Sequence, residues 1–299
     1  MDLTLESDEF LNGFDHLDCH TIKSNTIDLF SLKINANEFN YTSLQDNLID
    51  PLVNYSLSRK VRTEYQGKPA TLSRKAREKF LDYLRNRGEL GELLLYCFLE
   101  SHLKAPKILS KLELKTSTSH YVNGADGVHF AKLDDGNFQI IFGESKTEES
   151  LTTALSHAFK SIFEFKNEIN SSGASKSGLP YEKGLISDHL EKETFSDAEK
   201  IFIKSIIYPR RDNKFEVDDA FGIFIGYEIT IEDADRWLPN SEFRKKTQDK
   251  IKEDIQERLS HIEKKIIEYK LFGHRFYIYI LPFTELAKTR TKIQEEITK

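Results

Sequence analysis

Apolar residues first fall into a sustained helical rhythm behind Gly88, where Leu90, Leu93, Leu94, Cys97 and Phe98 are spaced i, i+3, i+4, i+7, i+8. This spacing predicts a helix ending near Lys104, ahead of Pro106. A helical pattern also begins at Ser73, whereas residues 1–58 hold only short mixed apolar stretches, such as 27–34, and read as strands and loops. Three strand-like runs follow the first helix, at 108–115, 127–133 and 138–143. The last two flank Asp134-Asp135-Gly136-Asn137, which is hairpin-turn chemistry, so a β-meander is expected. Leu151, Ala154, Leu155, Ala158, Phe159, Ile162 and Phe163 then mark a helix of about five turns that should pack across those strands. Beyond a Ser/Gly-rich loop at 170–178, residues 197–208 read as a helix and 220–229 as a buried strand. Ile251, Ile255, Leu259, Ile262 and Ile266 predict one long amphipathic helix before a strand at 274–281. No repeat or low-complexity tract interrupts the chain. The order helix, three strands, helix, strand predicts an α/β fold with a mixed central sheet flanked by helices. An N-terminal extension, residues 1–80, is expected to precede the main domain, residues 81–299.

Composition narrows this picture. A chain of 299 residues with 38% apolar and 31% charged residues, and with 21 Phe and 12 Tyr, suits a globular protein with a sizeable core. The net charge of −6 argues against a nucleic-acid binder that relies on bulk charge, but not against a local groove. Residues 59–79 hold eight basic side chains (Arg59, Lys60, Arg62, Lys68, Arg74, Lys75, Arg77, Lys79) against the acidic Glu64 and Glu78. This segment is either a solvated helix face or a phosphate or partner contact. Cys19 and Cys97 cannot build a disulfide framework, so a reducing cytoplasm is expected. The N-terminus lacks the basic and apolar regions of a signal peptide, and no apolar run approaches the roughly 20 residues that span a bilayer. No GxxxxGK[ST] motif occurs, so ATP hydrolysis is not expected of this chain.

The candidate chemistry lies in the meander. Asp126 heads the second strand, and Glu144 and Lys146 close the third within Gly143-Glu144-Ser145-Lys146. Hairpin pairing should bring them together, with Glu144 and Lys146 on one face and Ser145 on the other. Phosphodiester hydrolysis needs such a set, because a hard cation must neutralise the scissile phosphate while a water is deprotonated and held in line. Asp126 and Glu144 can bind Mg²⁺, or Mn²⁺ in its place, and the Ser145 carbonyl can add an oxygen. Lys146 can position the water and stabilise developing charge. A third carboxylate is available upstream at Glu92 or Glu89. The Glu-x-Lys spacing alone is weak, since it occurs at Glu113, Glu144, Glu164, Glu263 and Glu268. Only Glu144 follows an apolar strand with an Asp 18 residues before it, across a hairpin.

Other residues read as structural. His16, Cys19 and His20 are metal-ligand types close in sequence, but they lie in an acidic loop without an evident fourth ligand. His157 and Lys160 fall on the polar side of the helix after the third strand and read as solvated. Trp237 reads as an anchor packing a loop or helix start rather than a base-stacking platform.

Asp126 with Glu144-Ser145-Lys146 resembles the PD-(D/E)xK nuclease superfamily of restriction-endonuclease-like folds. More narrowly, Gly88-Glu89-Leu90-Gly91-Glu92-Leu93-Leu94, Gly124-Ala125-Asp126-Gly127-Val128-His129 and Gly143-Glu144-Ser145-Lys146 resemble the HamA and AbpA family of the Hachiman antiphage defence system. The likeness is strongest over residues 87–165. It implies metal-binding roles for Asp126 and Glu144, a catalytic role for Lys146 and a supporting role for a helix glutamate. Glu92, following the small Gly91, is the choice for that role, with Glu89 one turn away on a similar face. Ala125 stands where the superfamily's name places Pro. The resemblance further implies a DNA endonuclease activity and a superfamily 2 helicase partner, HamB. The alternative is a catalytically inert subunit that uses the same fold to hold DNA or regulate the helicase.

Overall fold

Two strands near the N-terminus, Phe14–Ile22 (β1) and Asn25–Leu32 (β2), pair antiparallel in a computed structural model that describes residues 2–5, 8–83, 88–114, 124–167 and 178–299. The short strands Ile34–Asn35 (β3) and Glu38–Phe39 (β4) form a separate ribbon. Helices follow at Tyr41–Ser56 (α1), Arg59–Glu64 (α2), Pro69–Tyr83 (α3) and Glu89–Ser101 (α4). The meander is Lys107–Ser110 (β5), a helical turn Lys111–Leu114 (α5), Gly127–Lys132 (β6) and Phe138–Glu148 (β7). Helices Leu151–Lys166 (α6), Leu179–Lys192 (α7) and Asp197–Ile207 (α8) lead to Val217–Glu228 (β8). Asn240–Gln256 (α9), Leu259–Glu268 (α10), Arg275–Phe283 (β9) and Leu286–Ile297 (α11) complete the described order.

All strands but β3 and β4 join one seven-stranded sheet, ordered β1-β2-β9-β8-β7-β6-β5. Its centre, from β2 through β9 and β8 to β7, is parallel, and the pairs at either edge are antiparallel. The sheet is mixed and helix-flanked, as the element order predicts. Residues 1–58 hold the expected strands and also a helix that was not expected. β2 pairs in parallel with β9, so β1 and β2 share the sheet with the rest of the chain. α1 lies where loops were expected. Its stripe is narrow, with Leu44, Leu48, Leu52 and Tyr55 buried, and it contains Pro51, which reads as a breaker in sequence. Asn40 starts it by accepting a hydrogen bond from the Ser43 amide at 3.1 Å.

Other boundaries also shift. The long helix expected through Ile251 and Ile266 breaks into α9 and α10, and tertiary contacts hold the junction against α6. Arg258 Nε donates to Thr152 Oγ1 at 2.8 Å, and Ser156 Oγ meets His261 Nε2 at 2.9 Å. β5 ends at Ser110 and the chain turns helical, so the expected strand to residue 115 stops short, and 115 itself lies outside the described residues. β7 runs on to Glu148, because β8 pairs with it as far as Tyr227. Glu144 and Lys146 therefore lie within a strand. Gly136 turns the β6–β7 hairpin at φ 88°, a conformation that favours glycine. Residues 170–177 of the expected Ser/Gly loop lie outside the described residues.

Helices cover both faces of the sheet, and strand alternation assigns them. Gly143 and Gly222, paired across β7 and β8, take α4, with Leu95 over the first and Leu99 over the second. Phe142 and Phe221 point the other way, where Phe142 meets Phe165 of α6 at 5.6 Å and Phe159 meets Phe276 at 5.4 Å. A methyl group at 143 would stand 3.0 Å from Leu95 and 3.2 Å from the Gly127 amide nitrogen, which is backbone and cannot swing aside. Gly143→Ala is therefore expected to cost about 1–3 kcal/mol through overpacking, read as a lower urea midpoint at unchanged m. An unchanged midpoint would show that α4 can lift off β7 without cost.

Candidate active site

Asp126 is pinned before its side chain is considered. Its amide donates to the Gly143 carbonyl at 2.9 Å, and its carbonyl accepts from the Lys111 amide at 3.1 Å. The junction of β6, β7 and α5 thus buries its carboxylate. Oδ1 accepts from Lys111 Nζ at 2.9 Å, and Oδ2 accepts from the Ser145 amide at 2.7 Å and its hydroxyl at 3.0 Å. Burial alone would push this carboxyl upward, but Lys111, Lys146 and the Ser145 amide together hold it below the usual carboxylate range.

Glu144 and Lys146 pair at 2.5 Å on the face opposite Ser145, as the strand alternation predicts. Burial and the Asp126 charge push the Glu144 carboxyl up, and Lys146 offsets this only in part. Burial would lower the Lys146 ammonium, yet Glu144 outweighs it and raises the pKa. Lys146 is therefore a cation and a donor near neutral pH. Glu92 reaches Asp126 indirectly, since Lys111 Nζ lies 3.6 Å from Glu92 Oε1 as well as on Asp126. The other Glu92 oxygen accepts from the Tyr55 hydroxyl at 3.0 Å. Glu89 is buried near enough to raise the Tyr55 pKa, but Glu92 is the glutamate that shares a lysine with Asp126. Gly91 lets α4 approach closely, because a Cβ there would stand 2.8 Å from Thr147 Oγ1 and 3.3 Å from Ser145 Oγ.

The structure thus joins Asp126 to Glu92 through Lys111 and to β7 through Ser145, with the Glu144–Lys146 pair on the other side of that strand. It does not place oxygens of Glu92, Asp126 and Glu144 all within 4.8 Å of one another. Two ammonium groups stand among the carboxylates instead. Sequence reasoning missed three members of this set: Lys111, Tyr55 and Glu182. Glu182 comes from α7 and packs against Gly124, where a Cβ would stand 2.3 Å from its Oε2. Only the run Gly124-Ala125 hinted at such an approach. Burial pushes the Glu182 carboxyl up to about 7, against the pull of Lys111 and the Ala125 amide.

A carboxyl raised from 4.5 to about 7 binds its proton more tightly in the folded chain, so stability falls as pH rises through that window. Above about pH 7 the penalty is complete. Glu182→Gln is expected to raise stability at about pH 8 by roughly 1–3 kcal/mol and to change it little at about pH 5. Equal effects at both values, measured by urea denaturation, would show that Glu182 does not titrate in this range.

A model of the HamA family matches residues 8–297, which includes both the β1–β2 hairpin and the site. The chain belongs to the HamA family. It is accordingly a subunit of the Hachiman antiphage defence system. No curated protein matches the chain at a significant level. Among the described residues of this HamA-family chain, no helix is long and apolar enough to cross a membrane.

His157 Nδ1 meets Glu148 at 2.7 Å on the surface, and Lys160 faces Glu164 at 3.7 Å on α6. Trp237 is not an anchor: it lies in a single 3-10 turn and is 89% exposed. Part of the basic stretch on α2 and α3 is used internally. Arg59 stacks on Phe195 at 4.6 Å, Lys75 lies over Tyr65 at 4.7 Å, and Arg62 donates to Asn54 at 2.8 Å.

Proposed function

We propose that this chain is a Mg²⁺-dependent DNA endonuclease of the PD-(D/E)xK type, acting within its defence system under the control of a superfamily 2 helicase of the HamB kind. The observation that carries the reading is the link between Asp126 and the Glu144-Ser145-Lys146 strand, in which a buried carboxylate is hydrogen-bonded to Ser145 and charge-coupled to the Glu144–Lys146 pair. The donors suit a hard cation, since they are carboxylate oxygens, and Mg²⁺ usually takes one or two such groups and leaves its other positions to water and phosphate. Asp126 and Glu144 would hold it, and Mn²⁺ would fit the same donors. Once bound, the ion would neutralise charge on the scissile phosphate and acidify a water.

The remaining steps belong to the chain. Lys146, kept protonated by Glu144, directs its ammonium at the attacking water or at a phosphate oxygen where charge develops. Ser145 fixes the Asp126 carboxylate through two hydrogen bonds, so that little reorganisation is needed when substrate binds. Glu92, held by Tyr55, supports the site from α4 through Lys111.

One observation favours the alternative of an inert DNA-binding or regulatory subunit. Lys111 and Lys146 pair with the carboxylates that would hold the cation and offset their charge. The two readings separate in a plasmid-nicking assay with Mg²⁺ or with chelator, using the chain alone and with its helicase. Nicks that need Mg²⁺ support the nuclease, whereas DNA binding without any cleavage in either mixture supports the inert subunit. The chain alone should be weakly active or silent, because an acidic protein with one local basic segment cannot gather much affinity from phosphate neutralisation. Residues 1–58 and 59–79 are the proposed contact for the helicase. Full activity of the chain alone at physiological salt would overturn this control.

A further inference from the structure

The first strand carries three metal-ligand types, and sheet geometry sorts them. In a regular strand, residues three apart point to opposite faces. The register shift between His16 and Asp18 adds one residue, so His16, opposite Phe30, and Cys19, opposite Asp28, share one face. His20, opposite Ile27, is left on the other. His16 lies flat on Phe30, with ring centres 4.5 Å apart and planes 17° apart, and its Nε2 is 3.0 Å from Asp28 Oδ1. A third group arrives from far along the chain. His102, at the C-terminal cap of α4, sits edge-on to Phe30 and Tyr279 and brings its Nε2 to 4.0 Å from the same Asp28 oxygen.

That spacing is too long for a hydrogen bond. It is close to the separation of about 3–4 Å expected of two ligands that each stand about 2.0–2.2 Å from a shared tetrahedral ion. Among the described residues, His16, Asp28 and His102 are the only group of three His, Cys, Asp or Glu side chains whose donor atoms all lie within 4.8 Å of one another. Asp28 is buried, and neither nitrogen of His102 has a hydrogen bond among the described residues, with Nδ1 sealed from solvent. Rings fixed by aromatic neighbours around a buried carboxylate leave little to reorganise on binding. Cys19 pairs with Asp28 across the strands and shares that face.

We propose that His16, Asp28 and His102 bind one zinc-class transition-metal ion, which ties the β1–β2 hairpin to the C-terminal end of α4. Two imidazoles and one carboxylate form a borderline set suited to Zn²⁺ and poorly suited to Mg²⁺, which takes oxygen donors. This site is therefore separate from the Asp126 centre, and its occupancy would brace the helix whose first turn carries Glu89 and Glu92.

The test uses the full-length chain stripped with chelator and titrated with Zn²⁺ against a chromophoric competitor, and with Co²⁺ followed by visible absorption. The expected result is one equivalent bound, a Co²⁺ spectrum of tetrahedral intensity and a higher Tm with Zn²⁺. His102→Ala and Asp28→Asn should each weaken binding by more than about 100-fold, beyond what changes to outer hydrogen bonds cause. His20→Ala, on the other face of the strand, should bind as the wild type does. Should a ligand variant fail to fold, the Co²⁺ spectrum of the wild type decides alone. A weak octahedral spectrum, binding that survives His16→Ala with His102→Ala, or binding lost in His20→Ala would each overturn the proposal.

Discussion

Glu144→Ala and Lys146→Ala are each expected to slow Mg²⁺-dependent nicking of plasmid DNA by about 10²–10³-fold or more, while the chain stays folded. The rate loss follows from removing a charged group aimed at the developing transition-state charge, or a carboxylate that would hold the cation. The fold should survive because both side chains are partly exposed, with the apolar core formed by their strand neighbours. Glu144→Ala also removes a carboxyl whose pKa is pushed up by burial, so it should cost little stability at neutral pH and can even raise it. Gel assays of initial nicking rate, run beside thermal denaturation of the same preparations, give both readouts. Nicking at the wild-type rate by either variant would remove that residue from the chemistry.

Lys111→Met should produce the largest loss of stability among single substitutions near the site, about 3–5 kcal/mol. Its ammonium stands between Asp126 at 2.9 Å and Glu92 at 3.6 Å, both buried, and removing it leaves two carboxylates facing each other in a place of low polarity. The pH dependence carries the diagnosis. The depressed Asp126 pKa contributes stability that is present above the ordinary carboxylate value and lost as pH falls through the folded pKa. Without Lys111 that contribution shrinks at neutral pH, so the gap between variant and wild type should be widest near pH 7 and narrow below about pH 4. Urea denaturation at both values measures it. Added Mg²⁺ should recover part of the loss, since a divalent cation can take the vacated place between the carboxylates. A loss under about 1 kcal/mol at neutral pH would mean that the carboxylates have other means of relief.

The features legible from sequence are local ones. Period and turn chemistry specify the meander, α4, α6, β8 and β9, because the helical spacing of Leu90 to Phe98 and the Asp135-Gly136 turn act within a few residues. The same locality made Asp126 and the Glu144–Lys146 pair legible, since a hairpin of known turn fixes which residues stand side by side. It also explains the errors. α1 carries a narrow stripe with an internal Pro51, and α9 and α10 share one stripe that only the contacts of Arg258 and His261 divide.

Tertiary structure alone decided the strand order, which carries β2 beside β9 across some 250 residues of chain, and with it the place of the N-terminal strands in the central sheet. It also decided that Lys111 bridges Asp126 to Glu92, that Tyr55 caps Glu92 and that Glu182 closes over Gly124. His102 meets Asp28 for the same reason: α4 must cover the sheet with its leucines, and its end then falls on the β1–β2 hairpin. A periodic pattern states which face of an element is buried, but not which distant face will bury it, because apolar burial is non-directional and is satisfied by any matching surface. Partners far apart in sequence are chosen only when the whole core packs at once.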